Sequence, residues 1–281
     1  MSDAPTARLS FCKLSGAGND FIVINANNAA RVPDLGQLAL QVCRRGTSVG
    51  ADGLIVVGPS EREGTDVRVR FWNPDGSEFG TCGNGSRCAA RFAVLEGLAP
   101  EELVLETDDG DIEVRVSGAN VALRFRIRPT VELDRLVTGA VAEQRGHFVL
   151  VGIPHLVVPV DEMPEGPIEA TCRPLRHAPE LGPTGANVNL VEVADEHRIR
   201  IRTYERGIEA ETLACGSGSM SCAVALCAAG RVSSPVEVTT RSGDVLTIRF
   251  QRRPDGSFSD LELEGPARVV YRGELGDPAG N

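Results

Sequence analysis

The chain has 281 residues, 42% of them hydrophobic and 24% charged, a composition of globular proteins with room for one large domain or two ordinary ones. Its net charge of −10 speaks against a nucleic-acid surface, no apolar run reaches the roughly 18 residues of a bilayer span, and polar residues 1–8 lack a secretory apolar segment, so a cytoplasmic location without nucleic-acid or membrane partners is expected. Lys13 is the single lysine among 29 basic residues, which leaves pyridoxal phosphate only one amine, and the eight cysteines fit neither a disulfide framework nor zinc spacing.

Residues 9–13 read as a strand entering the glycine-rich loop 15–20, and 21–24 as a short apolar strand. Leu35, Leu38, Ala39 and Val42 share one face of a helix predicted over 34–44 and stopped by Gly46. A turn at 50–53 precedes a strand at 54–57. Val67, Val69 and Phe71 alternate with arginines as a half-exposed strand that delivers the turn 72–77. Residues 85–96 read as a helix closed by Gly97, and 103–107 with 111–116 as a hairpin around 108–110. A strand follows at 121–127, whereas 129–145 shows no clear period. Strands at 147–151 and 156–160, with 152–155 as a break, lead to an unassigned stretch, 171–181. The loop 182–187 enters a strand at 188–193, and Ile199 and Ile201 alternate with arginines before Tyr204-Glu205-Arg206-Gly207. A helix over 218–229, a hairpin of 236–240 with 245–250, and strands near Leu261 and Val269 complete the chain.

Two stretches stand out, Cys82-Gly83-Asn84-Gly85 and Cys215-Gly216-Ser217-Gly218. An ungapped offset of 133 residues superimposes the cysteine, the glycine turn, the helix, its stop (Gly97 on Gly230) and the hairpin glycine (Gly110 on Gly243). The strand with Val67 matches the one with Ile199 at 132, so the second half carries one extra residue before its cysteine. This reads as a duplicated domain. The second helix lacks any charge, the mark of a helix buried on all sides.

A helix N-terminus offers unpaired N–H groups and partial positive charge, which hold a carboxylate and favour thiolate over thiol. Two thiols in such settings form an acid–base pair: inverting a carbon requires taking a proton from one face and supplying one to the other. Cys82 and Cys215 are therefore expected to face each other across one substrate carbon. Donors around the carboxylate would stabilise the charge that develops as the proton leaves, with no cofactor required. Asn19, Asn73, Asn84, Asn187, Glu205 and Arg206 are candidate ligands in adjoining loops, and His155 is a candidate to tune a thiol. Arg206 could pair a second carboxylate.

At these residues the chain resembles the diaminopimelate epimerase family over nearly its whole length. The likeness rests on residues 13–21 (KLSGAGNDF), on Asn73-Pro74-Asp75-Gly76-Ser77 with Cys82-Gly83-Asn84-Gly85, and on Tyr204-Glu205-Arg206-Gly207 with Ala214-Cys215-Gly216-Ser217-Gly218. The resemblance implies an α/β fold of the α+β type, with two pseudo-symmetric domains, each a mostly antiparallel barrel or sheet around a central helix. Their spans would be 1–125 plus 267–281, with the C-terminal strand returning to the first domain, and 126–266. It implies a cofactor-independent interconversion of LL- and meso-diaminopimelate, on the route to lysine and peptidoglycan, with Cys82 and Cys215 as bases. Gly83, Asn84, Gly216 and Ser217 would contact the reacting carboxylate. Asn19, Asn73, Asn187, Glu205 and Arg206 would bind the diacid amino-acid substrate, and His155 and Glu205 would adjust the thiols. A homodimer is compatible with the sequence.

The chain departs from the family pattern in three places. Gly53 and Ile153 stand where glutamine and asparagine are common, and the segment 207–215 is one residue longer than the commonest spacing. Two other readings remain at this level: a racemase of an amino acid without a distal carboxylate, and a redox module that joins Cys82 to Cys215.

Overall fold

The computed structural model describes residues 8–138 and 143–276. The chain divides into two compact units, Met1–Leu123 with Pro266–Asn281, and Arg124–Gly265. Among the described residues no helix is long and apolar enough to cross a membrane.

The first unit contains β1 (Leu9–Gly16), β2 (Asn19–Asn25), α1 (Ala26–Ala29), α2 (Leu35–Val42), β3 (Gly53–Pro59), β4 (Val67–Trp72), β5 (Glu78–Phe79), α3 (Gly83–Leu95), β6 (Glu102–Thr107) and β7 (Gly110–Ser117). Strand β8 (Asn120–Phe125) reaches the unit boundary. The second unit contains β9 (Thr130–Thr138), β10 (Glu143–Val151), β11 (Ile153–Pro159), α4 (Glu169–Arg176), β12 (Asn187–Asp195), β13 (Arg198–Glu205), β14 (Ala210–Thr212), α5 (Gly216–Ala228), β15 (Val236–Thr239), β16 (Val245–Arg252) and β17 (Phe258–Pro266). Strand β18 (Arg268–Leu275) pairs antiparallel with β1 inside the first unit.

Both units run the same ladder. In the first, β18, β1 and β2 are antiparallel neighbours, β2 pairs parallel with β3, β3 antiparallel with β4, and β4 parallel with β6, which forms a hairpin with β7. In the second, the same senses follow through β9, β10, β11, β12, β13, β15 and β16. Short β5 and β14 each pair with the end of the strand before them. The repeat inferred from spacing is thus a repeat of strand order and direction.

The registers locate the extra residue. Trp72 stands opposite Glu78, and Tyr204 opposite Glu211. The first of each pair is displaced by 132 residues between the units and the second by 133, so the insertion lies in the turn between Tyr204 and Glu211. That turn contains Glu205 and Arg206, and its non-glycine Glu209 takes φ 57°.

Each unit wraps its strands around one helix. Helix α3 packs on β1, β2, β3, β4, β6 and β7, and α5 on β9, β10, β11, β12, β13, β15 and β16. Every residue of α5 from Gly218 to Cys227 is buried, as its uncharged sequence requires.

Four sequence expectations change. Both central helices begin two residues earlier than read, at Gly83 and Gly216, because each cysteine is itself the N-cap. The loop 15–20 is a two-residue hairpin turn, with Ala17 at φ 61° and Gly18 at φ 103°. The stretch 171–181 includes most of α4, which carries an internal proline, Pro174. The stretch 129–145 contains β9, whose only buried residue is Val137. With so little alternation to read, that strand is defined by its pairing with β10.

Candidate active site

Cys82 and Cys215 occupy equivalent positions. Each is the extended N-cap of a 13-residue helix, with φ −144° and ψ 124° at Cys82 and φ −122° and ψ 112° at Cys215. The opening residues Gly83-Asn84-Gly85 and Gly216-Ser217-Gly218 form the first turn of each helix, where backbone amides have no carbonyl partner within the helix itself. All eight cysteines are thiols. Burial pushes Cys43 up to about 11 and Cys88 and Cys172 up to about 12, which marks them as packing residues.

In the first unit, Asn84 Nδ2 donates to Asn19 Oδ1 at 2.6 Å, and the fully buried Arg87 donates to Asn84 Oδ1 at 2.8 Å. Asn19 Nδ2 in turn donates to Asp52 Oδ2 at 3.2 Å, which also accepts from the Asp20 amide. Arg45 bridges Asp20 and Asp52, and Lys13 Nζ lies 2.8 Å from Asp20 Oδ2 and donates to the Gly50 carbonyl. Burial alone would raise the Asp20 carboxyl, but hydrogen bonds from Arg45 and Lys13 hold it below the usual carboxylate range. The single lysine is therefore a buried ion-pair partner with a structural task. Asn73 lies apart from this network, its side chain donating to Ser77 Oγ at 3.0 Å inside the turn after β4.

Gly53 heads β3, where an added β-carbon would stand 2.9 Å from the Trp72 carbonyl oxygen and 3.4 Å from the Phe21 ring. The glycine lets this backbone pack closely, so a longer side chain needs a different local arrangement. Gly53 pairs with Phe21 as Asn187 pairs with His155, so the two units fill this matched position differently. Ile153 is exposed at the start of β11.

The second unit gathers His155, Asn187, Ser217 and Cys215 around the start of α5. Cys215 Sγ accepts from the Gly218 amide at 3.4 Å and lies 3.5 Å from Ser217 Oγ. His155 Nε2 is 3.0 Å from the same hydroxyl. Asn187 Oδ1 accepts from the Arg206 amide at 2.7 Å, which fixes the turn carrying Glu205 and Arg206. Burial pushes the Cys215 thiol well up and the Glu205 carboxylate pushes it further, while Ser217 and Gly218 pull it back. Burial likewise raises Glu205, which shares a hydrogen bond with Cys215. Both groups therefore favour their protonated forms more than they would in water. Burial lowers His155 to about 3, so its ring is neutral at physiological pH.

Sequence reasoning passed over Asp52, Arg87 and Asn189. Asn189 is buried in β12 between Val188 and Leu190, and its Nδ2 is 3.1 Å from His155 Nδ1. An asparagine within the apolar stretch Val188 to Val191, two residues after Asn187 and so on the same face, was the available signal.

The fold is shared with a phenazine biosynthesis protein of the PhzF family from Bacillus anthracis, at TM-score 0.72 and 15% identity, covering 96% of this chain and 99% of that one. A probable proline racemase from Agrobacterium radiobacter K84 matches at TM-score 0.70 and 15% identity, covering 97% and 94%. Fold and sequence together define an isomerase of the two-domain epimerase and racemase class. The sequence comparisons are more specific. The family model described as diaminopimelate epimerase matches residues 11–127 and 147–258. A diaminopimelate epimerase from Aquifex aeolicus is 37% identical over 279 residues, covering 96% of this chain and 98% of the relative. One from Chlorobaculum tepidum is 38% identical, covering 93% and 99%. The chain belongs to the diaminopimelate epimerase family.

Proposed function

We propose that the protein interconverts LL- and meso-diaminopimelate by two-base proton transfer at the α-carbon, with Cys82 and Cys215 as the bases. One cysteine as thiolate takes the α-proton, and the C–H electron pair spreads onto the adjacent carboxylate. The other, as thiol, returns a proton to the opposite face, so the two exchange protonation states in each turnover. First-turn amides at Gly83, Asn84, Gly216 and Ser217 hold the carboxylate and stabilise its growing charge, chemistry that requires no cofactor. Asn19, Asn73, Asn187, Glu205 and Arg206 bind the rest of the substrate, Arg206 pairing the distal carboxylate through its planar fork. Glu205 and His155 adjust the thiols. The product serves lysine and peptidoglycan precursor synthesis, in keeping with a cytoplasmic enzyme.

The observation that carries this reading is the matched N-cap cysteine on each central helix. The test is incorporation of solvent deuterium at the α-carbon of diaminopimelate without added cofactor, run beside a panel of other amino acids. Exchange confined to diaminopimelate and lost in Cys82→Ala and Cys215→Ala is the expected result. Full exchange in either variant would overturn the two-thiol mechanism. Preference for a mono-carboxylate amino acid, unaffected by Arg206→Leu, would make the protein a racemase of another substrate.

A further inference from the structure

Behind Ser217 a hydrogen-bonded series runs through His155 to Asn189 and Thr203. Asn189 Nδ2 faces His155 Nδ1 at 3.1 Å and the Leu156 carbonyl at 3.2 Å, while Asn189 Oδ1 accepts from Thr203 Oγ1 at 3.0 Å. A carbonyl oxygen only accepts, so Leu156 fixes which end of the Asn189 amide is the NH2 group. That group then donates to Nδ1, which makes Nδ1 an acceptor without a proton. On a neutral ring the proton must sit on Nε2.

Two groups meet Nε2: Ser217 Oγ at 3.0 Å and Asn187 Nδ2 at 3.4 Å. The Asn187 amide is oriented by the Arg206 amide on its oxygen, so it presents only donors to the ring. The hydroxyl is both nearer and able to accept. Accepting from His155 leaves the Ser217 proton for a second neighbour, and Cys215 Sγ is 3.5 Å away.

We infer that Asn189 is a positioning residue: it fixes His155 as the neutral Nε2–H tautomer, which turns the Ser217 hydroxyl proton toward the Cys215 sulfur. The packing of α5 supports the assignment, because a β-carbon at Gly218 would lie 2.4 Å from Asn189 Oδ1 and 3.3 Å from Cys215 Sγ. Glycine at this position lets the amide and the thiol share the first helical turn. The charged and titratable groups acting on the series are Arg206 on His155 and Glu205 on Cys215. A role in catalysis rests on the two-thiol reading; the tautomer and the hydrogen bond do not.

Nitrogen-15 NMR of histidine-labelled protein, with His155 assigned by loss of its signals in His155→Gln, reads the tautomer directly. A protonated Nε2 beside a bare Nδ1 at neutral pH is expected, and a protonated Nδ1 overturns the inference. The Cys215 S–H stretch, isolated as the infrared difference between the native protein and Cys215→Ser, reports the Ser217 contact. Asn189→Leu and Ser217→Ala should each shift this band, and the double variant no further. Additive shifts, or an Asn189→Leu protein whose His155 tautomer is unchanged, would show a merely structural role. Exchange at the α-carbon should fall roughly ten-fold in Asn189→Leu with little change in KM, the loss expected for one hydrogen bond to a charged group. Absence of exchange in the native protein would overturn the proposed function while leaving the NMR and infrared readings decisive here.

Discussion

The Asn84 carboxamide donates to that of Asn19 at 2.6 Å, tying the first turn of α3 to the hairpin turn between β1 and β2. Asn84 also receives Arg87, and Asn19 leans on Asp52, so an amide beside Cys82 is held from both ends. Asn84→Ala should therefore cost about 1–3 kcal/mol of stability by taking this partner from the buried Arg87 donor and from the Asn19 carboxamide oxygen. Exchange per folded molecule should fall roughly a hundred-fold if, as proposed, the residue also serves the substrate carboxylate. Denaturant titration and the deuterium assay on the same preparation separate the two effects. Lost stability with exchange intact would confine Asn84 to a structural task.

Lys13 gives the opposite forecast. It is buried and ion-paired with Asp20, and Arg45 remains as a second partner for that carboxylate. Lys13→Met should cost about 3 kcal/mol, near the low end for breaking a buried pair, with exchange per folded molecule little changed. Borohydride should trap no adduct on the native protein. An adduct on Lys13, or a folded variant without exchange, would contradict this placement.

Burial raises both Glu205 and Cys215; the Glu205 charge raises Cys215 further, whereas the hydrogen bond from Cys215 pulls Glu205 down. In Cys215, burial acts first, the Glu205 charge next, and the hydrogen bond to Glu205 in the same direction. Glu205→Gln removes that charge, so the limb of the pH–rate profile that reports Cys215 ionisation should move to lower pH. The maximal rate should nevertheless drop by about a hundred-fold as the carboxylate proposed to bind substrate and adjust this thiol disappears. A limb that moves to higher pH would assign the profile to another group.

Much of this site was legible because duplication makes spacing informative. Cys82 alone is one more cysteine before a glycine; its match to Cys215 at a shared offset sets both apart from Cys88 and Cys222 on the same helices. Strands with buried alternate positions, such as Val67, Val69 and Phe71, were equally plain. Strand β9 was hidden because eight of its nine residues are not buried. The supports of the site were hidden for another reason. Asp52 lies in a turn, and only pairing across the fold brings it to Asn19; Arg87 holds Asn84 three residues away in its own helix, a spacing that by itself singles out neither residue. Asn189 shows its purpose only when β11 and β12 lie side by side and bring it to His155.

His155 carries a test through stability alone. Its ring is buried, and burial lowers it to about 3, whereas in the unfolded chain a histidine titrates near 6.5. Between those values the unfolded state binds a proton that the native state refuses, so stability is lost as pH falls, by about 1.4 kcal/mol per pH unit. His155→Gln should destabilise the protein at pH 7 by removing buried hydrogen bonds, yet it also removes this acid penalty. The gap in stability between native and variant proteins should therefore shrink by roughly 2 kcal/mol from pH 7 to pH 5. His147, lowered, and His197, raised, titrate alike in both proteins and cancel in the difference. A gap independent of pH would mean that His155 takes up its proton equally in the folded and unfolded chains. That outcome is incompatible with a neutral ring bonded to Asn189.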